Sequence, residues 1–307
     1  MEKSKFGVKK TTLWKWLNRE SVAAVICASP FILGFLLFLL VPMGLSLYYS
    51  FCDYNILSEP EWTGLSNYMQ AFTGDPKFWK SLGVTLRFVV VSVPLRLAFA
   101  LIVAMVLVKN SKMSAVYRAV YYLPSLIGGS VAIAVLWKRM FAMDGVVNTL
   151  LKVIGVDSNY SWLGNATSAM WTLILLAVWQ FGQSMLIFLA SLKQIPRTLY
   201  EAANVDGATK WTQFWKITLP LLTPTIFFNL IMQMINGFLA FTQCFVITQG
   251  KPMDNTLFYA VYMYQQSFQY YNTGYGAALA WIMMLIVGLA TWLIFISKKR
   301  WVYEGGF

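Results

Sequence analysis

The residues of this chain best suited to recognising a ligand are amides. Asn229, Gln233, Asn236 and Gln243 follow one another at steps of 4, 3 and 7, which on a helix places them along one face. An amide donates and accepts hydrogen bonds without demanding a counter-charge, so such a row suits the hydroxyls of a neutral sugar. Polar side chains in a membrane also join helices to one another, and the sequence leaves both readings open. Trp179, Gln180, Gln183 and Ser184 form a sparser group of the same kind. Arg96, just after Pro94 in a long apolar run, is the unexpected cation. An arginine there must face protein or water, and it suits either an anionic group such as a uronate or phosphate, or carbonyls freed near Pro94 or supplied by a partner chain.

What is missing narrows the chemistry further. Histidine is absent, which removes the commonest general base and metal ligand, and with it hydrolytic triads and His-ligated zinc. Cys27, Cys52 and Cys244 are odd in number and widely spaced, so neither a disulfide framework nor a cysteine metal site is indicated. No GxxxxGK[ST] phosphate loop occurs, so ATP or any other energy source must be handled by another chain. Proton- or sodium-coupled carriers place ionisable groups at mid-membrane, whereas every Asp and Glu here falls outside the apolar runs. An ion-coupled carrier or channel acting alone loses support, and a membrane enzyme lacks a nucleophile, base or metal cluster.

The elements that must position these residues are membrane spans. Of 307 residues 58% are hydrophobic and 12% charged, which no water-soluble fold of this size tolerates. The net charge of +12 sits in short segments between apolar runs rather than on a soluble basic face, so membrane topology explains it and nucleic acid does not. The expectation is an all-α polytopic protein with six transmembrane helices, over about 22–50, 82–108, 120–141, 168–192, 221–248 and 274–297. Pro30 and Pro42 predict kinks in the first, and its length argues for a retained span rather than a cleaved signal peptide. Segments then assigned to the inside hold 16 of the 24 Lys and Arg, which puts both termini in the cytoplasm. One integral membrane domain over 1–307 is the economical count, with a basic cytoplasmic segment over 1–21 and a cytoplasmic loop over 193–220.

That loop contains a charged, Trp-rich island, Glu201 to Pro220. Glu201-Ala202-Ala203 is small-surfaced and helix-favouring, and Asp206-Gly207 is a turn pair in which Gly is free to take positive φ. The local prediction is a helix, a turn, and a second helix capped by Thr209 and carrying Trp211, Phe214, Trp215 and Thr218, lying along the membrane surface.

Glu201-Ala202-Ala203, three residues, Gly207, nine residues and Ile217-Thr218-Leu219-Pro220 together resemble the EAA signature of binding-protein-dependent ABC importer permeases. Asp206-Gly207-Ala208, Trp211, Phe214, Pro224, the ITQGKP run Ile247–Pro252 and GYGAALA from Gly274 to Ala280 are similar to the sugar-type subfamily. Within it the chain looks more like the larger maltose-type subunit than its smaller partner. It differs in having Lys251 where a second loop Gly is usual, and in lacking an inserted soluble outer domain. The resemblance implies the type I ABC importer permease fold in a bacterial cytoplasmic membrane. It implies pairing with a second, homologous permease, two cytoplasmic ATPases that bind ATP and Mg, and an extracytoplasmic solute-binding protein delivering a carbohydrate. The cargo would be an oligosaccharide, or alternatively a polyol, glycerophosphodiester or acidic saccharide. It also implies that Glu201, Ala202, Ala203, Asp206 and Gly207 belong to a coupling helix docking on an ATPase. The charge and small surface of that stretch are compatible with such docking. The chain itself would carry no catalytic, cofactor or metal site.

Overall fold

The computed structural model describes residues 20–108, 113–156 and 160–303. Residues 1–19 of the expected basic segment, and Lys109 and Lys112 of an expected inner turn, lie outside them. Almost everything described is helix, with one antiparallel pair of two-residue strands, β1 (Cys52–Asp53) and β2 (Glu61–Trp62).

The first apolar run forms α1 (Glu20–Phe35) and α2 (Val41–Ser50), joined by a π-helical turn over Leu36–Leu40. Pro42 has no N–H to give and its ring crowds the carbonyl four residues back, so the turn ahead of it widens. The short α3 (Ser66–Met69) then leads to α4 (Pro76–Leu107), the helix on which the molecule is built. Its 32 residues span about 48 Å, longer than a hydrocarbon core of about 30 Å. Asp75 starts it by accepting from Lys77 N at 2.9 Å and Phe78 N at 3.3 Å. The other carboxylate oxygen of Asp75 accepts from the Tyr262 and Tyr275 hydroxyls. One acid thus caps α4 and ties its end to two later elements.

The third and fourth expected spans are not straight. In place of 120–141 the chain forms α5 (Ser114–Ile127) and α6 (Val131–Met140), bent by 98°. Gly128-Gly129 interrupts the helix, and Ser130 starts the next one by accepting from Ile133 N at 3.3 Å. After α7 (Val146–Val153), the fourth run divides into α8 (Ala166–Trp179) and α9 (Gly182–Gln194), bent by 41° at Gln180-Phe181. The remaining helices are α10 (Arg197–Val205), α11 (Lys210–Gln213), α12 (Leu219–Phe238), α13 (Thr242–Ile247), α14 (Tyr259–Tyr264) and α15 (Thr273–Trp301). The expected fifth span over 221–248 falls within one long apolar stretch, Lys210–Ile247, interrupted at 239–241 between α12 and α13. Four helical stretches are long and apolar enough to cross a membrane, and each bent pair taken as one span makes up to six.

Helix α4 packs on α8, α9 and α12, while α15 packs on α2. The fully buried Ala100 and Ala104, one turn apart on α4, let neighbouring backbones approach, which is how helices associate where lipid supplies no hydrophobic drive. Buried polar groups then lock the contacts: Tyr259 N donates to Thr85 Oγ1 at 2.8 Å, and the Tyr259 hydroxyl donates to the Leu279 carbonyl at 2.8 Å. Large apolar side chains on α1 and the turn after it, such as Phe31, Leu33 and Phe38, stand exposed, as lipid- or partner-facing surface does.

Candidate functional site: a capped hairpin and an amide-lined cavity

Two constellations stand out, one at an end of the molecule and one within it. At the end, α10 closes in a hydrogen-bonded Schellman turn. Gly207 N donates to the Asn204 carbonyl at 3.1 Å, and Ala208 N donates to the Ala203 carbonyl at 2.9 Å. This geometry needs a left-handed residue, and Gly207 supplies it at φ +73°. Glu201, Ala202 and Asp206 are exposed and Ala203 is half-buried. Beside them Val205 is 90% exposed, an apolar side chain with no partner within the fold.

Thr209 caps α11 as expected, with Oγ1 accepting from Thr212 N at 3.3 Å. The second helix is not a separate element, however. It runs through a π-helical turn over Phe214–Thr218 directly into α12, because no breaker follows Thr209 and the wide turn accommodates Pro220 as it does Pro42. Trp211, Phe214 and Trp215 cluster on this entry, with ring centroids 5.3 to 6.1 Å apart.

Sequence reasoning missed the residue that fastens the hairpin. Gln213 is 3% exposed and donates from Nε2 to Asn204 Oδ1 at 2.7 Å and to the Ala208 carbonyl at 3.0 Å. The Tyr200 and Thr218 hydroxyls form a second tie at 2.9 Å. A lone Gln among aromatics gives little signal; only its position one turn after an N-cap, facing back toward the turn, could have marked it. Gln213→Leu removes two hydrogen bonds, each contributing about 0.5–1.5 kcal/mol. The expected result is a hairpin that is cut more readily by protease in assembled membranes, with solute uptake reduced about three- to tenfold.

The second constellation lies where the broken helices face α4 and α12. A cavity of about 280 Å³ is lined by Ser92 and Arg96 from α4, Ser125 and Gly129 at the first break, and Gln180 and Gln183 at the second. Gln233 and Asn236 from α12 and Gln243 from α13 complete its polar lining. The structure therefore brings together Arg96, Gln183, Gln233, Asn236 and Gln243. Asn229 stays outside: it is buried a turn earlier and its Nδ2 donates to the Thr225 carbonyl at 3.1 Å within its own helix. Gln233 both lines the cavity and holds helices together, donating to Ser184 Oγ at 3.0 Å. Gln243 stands beyond the interruption at 239–241, within the same Lys210–Ile247 stretch as the other three, and lines the cavity with Gln233 and Asn236.

The break at Gln180 supplies the partner for Arg96. Interrupting α8 frees the Gln180 carbonyl, which accepts from Arg96 Nη2 and from Ser125 Oγ at 2.9 Å. Ser125 Oγ in turn accepts from Gln183 N at 3.1 Å, and Gln180 Nε2 donates to the Gly128 carbonyl at 3.1 Å. The acceptor is thus a carbonyl freed at the break rather than one near Pro94. Discontinuous helices whose unpaired backbone groups border a polar cavity are the arrangement by which membrane proteins build solute sites without exposing backbone to lipid. No group of three or more metal-ligating side chains occurs among the described residues.

The geometry has close counterparts. A family model described as "Binding-protein-dependent transport system inner membrane component" matches residues 96–303. A probable ABC transporter permease protein, YesP of Bacillus subtilis, is 51% identical over 94% of this chain and 94% of its own length. The arabinooligosaccharides transport system permease protein AraP of Halalkalibacterium halodurans is 32% identical over 91% of this chain and 88% of its own. The probable starch degradation products transport system permease protein AmyD of Thermoanaerobacterium thermosulfurigenes is 30% identical over 97% and 98%. Among solved structures, a bacterial alginate ABC transporter in complex with an alginate pentasaccharide-bound periplasmic protein superposes with a TM-score of 0.80. It is 24% identical and covers 96% of this chain and 99% of that one, which establishes the type I permease fold. The chain belongs to the inner membrane components of binding-protein-dependent transport systems, as a multi-pass permease of the bacterial cell membrane.

Proposed function

We propose that this permease forms half of the translocation path of an ATP-driven importer for an oligosaccharide, with the Glu201–Gly207 hairpin as its coupling element. One observation carries the reading: Glu201 and Ala202 stand exposed, beside a half-buried Ala203, on a short helix that the Gly207 turn and Gln213 hold in place. A rigid helix with a small-surfaced face, an acid and an unpartnered Val205 suits insertion into a groove of a soluble partner. The hairpin would face the cytoplasm, as would both termini, and would receive two ATPase subunits shared with a second, homologous permease. ATP and Mg would be bound by those subunits. Their closure would draw the hairpins together and, through the unbroken path from α11 into α12, open the cavity toward an extracytoplasmic binding protein. The oligosaccharide cargo is supported by the amide-rich lining and by the starch-product and arabinooligosaccharide permeases among the relatives.

Ala202→Cys tests the coupling role. With Cys27 replaced by Ser, and a cysteine placed along the groove of the co-expressed ATPase, oxidation is expected to yield a permease–ATPase disulfide whose formation changes on adding ATP. Absence of that product at every groove position, with both chains assembled, would remove the hairpin from the interface.

A further inference from the structure

Arg96 is the cation of the cavity, and among the described residues no Asp or Glu lines the space with it. Of the five N–H donors on a guanidinium, one goes to the Gln180 carbonyl, while the Nε–H is buried without a hydrogen-bond partner. An unpaired cation in a low-dielectric site is costly, and a structural peg to one backbone carbonyl needs only an amide or hydroxyl donor. The rest of the wall is neutral and rich in groups that donate and accept: Ser125, Gln183, Asn236 and Gln243.

Resting on the oligosaccharide reading above, we propose that the cargo bears carboxylates, as uronic-acid saccharides do, and that Arg96 is the side chain selecting them. A carboxylate entering the cavity supplies the missing counter-charge and accepts the planar fork of N–H donors, a fit that a lysine or an amide cannot reproduce. The amides then read the ring hydroxyls around that anchored charge. No bond is made or broken. At about 280 Å³ the space holds a short stretch of the chain at a time, so successive uronate units pass Arg96 in turn.

The test uses the whole transporter in membrane vesicles. Cys27 is changed to Ser, and Gly129→Cys places a thiol in the cavity, where an added Cβ meets nothing within 4 Å. Anionic and cationic methanethiosulfonates of similar size then report the local potential. The anionic reagent is expected to react about tenfold faster than the cationic one relative to free cysteine, a ratio that Arg96→Gln abolishes and Arg96→Lys keeps. Uptake is compared in parallel for uronic-acid oligosaccharides and the same chains with their carboxyls reduced to alcohols. Wild-type protein is expected to prefer the carboxylated forms about tenfold, and Arg96→Gln to erase that preference while Arg96→Lys retains part of it. No charge preference in the thiol reaction, or equal uptake of the two forms, overturns the proposal. A charge preference together with uptake of neither form overturns the saccharide reading itself, and with it the carboxylated-saccharide assignment.

Discussion

Gly207→Val is expected to leave the permease in the membrane at its normal level and to reduce solute uptake at least tenfold. The reason lies in the backbone, since a Cβ at this position meets nothing within 4 Å. At φ +73° a non-glycine residue costs about 1–2 kcal/mol, and a β-branched one more. If the turn relaxes to negative φ, both closing bonds are lost, and the face bearing Glu201 and Ala202 swings away from its docking direction. A loss of about 1.4 kcal/mol in docking is a tenfold weakening. Three substitutions separate this cause from simple bulk in the partner's groove. Asn adopts the left-handed region more readily than other residues, so Gly207→Asn is expected to retain most uptake, Gly207→Ala less, and Gly207→Val least. If bulk decided the outcome, Ala would outperform Asn. That order, measured as initial uptake rates at matched membrane levels, would refute the conformational account.

The hairpin and the cavity were legible in the sequence to different degrees, for a physical reason. Gly207 and Thr209 act through local backbone rules that hold wherever the segment sits, so the turn and the cap follow from residue types alone. The amide row was visible for the same reason, as a periodicity. What could not be read was how the apolar runs break. Gly128-Gly129-Ser130 can signal a break and a new cap, but neither the 98° bend nor the Gln180 contact at Gly128 follows from those residues alone. Periodicity places Asn229 with the other amides, yet it bonds within its own helix and stays out of the cavity, while Gln243 joins the cavity from beyond the interruption at 239–241. Likewise Arg96 was evident as a charge in an apolar run, but its carbonyl partner comes from 84 residues away. The helix expected after Thr209 runs on into α12 for a related reason: amphipathic spacing over Trp211 to Thr218 does not show where a helix ends.

The broken region also sets a tight packing constraint, at Gly182. A Cβ there would sit 2.4 Å from the Tyr121 carbonyl oxygen and 2.7 Å from Tyr122 Cα. Both are backbone atoms of α5, so no rotamer change relieves the contact and the two helices must part. Overpacking of this kind costs about 1–3 kcal/mol for a methyl group, and more for a branched side chain. The displacement reaches the site directly, because Ser125, 3.0 Å from that Cβ, is the hydroxyl that joins α5 to the Gln180 carbonyl and to Gln183 N. Parting the helices leaves that carbonyl to Arg96 alone and widens the cavity on the side that reads the ligand. Gly182→Ala is therefore expected to lower the thermal stability of the assembled transporter and cut uptake about tenfold, and Gly182→Val to prevent assembly. Gly288→Ala on α15 is the matched comparison: its Cβ meets nothing within 4 Å, and alanine favours a helix interior over glycine. If Gly182→Ala behaved like Gly288→Ala in both melting and uptake, the close approach of α5 and α9 would not be what holds the cavity in shape.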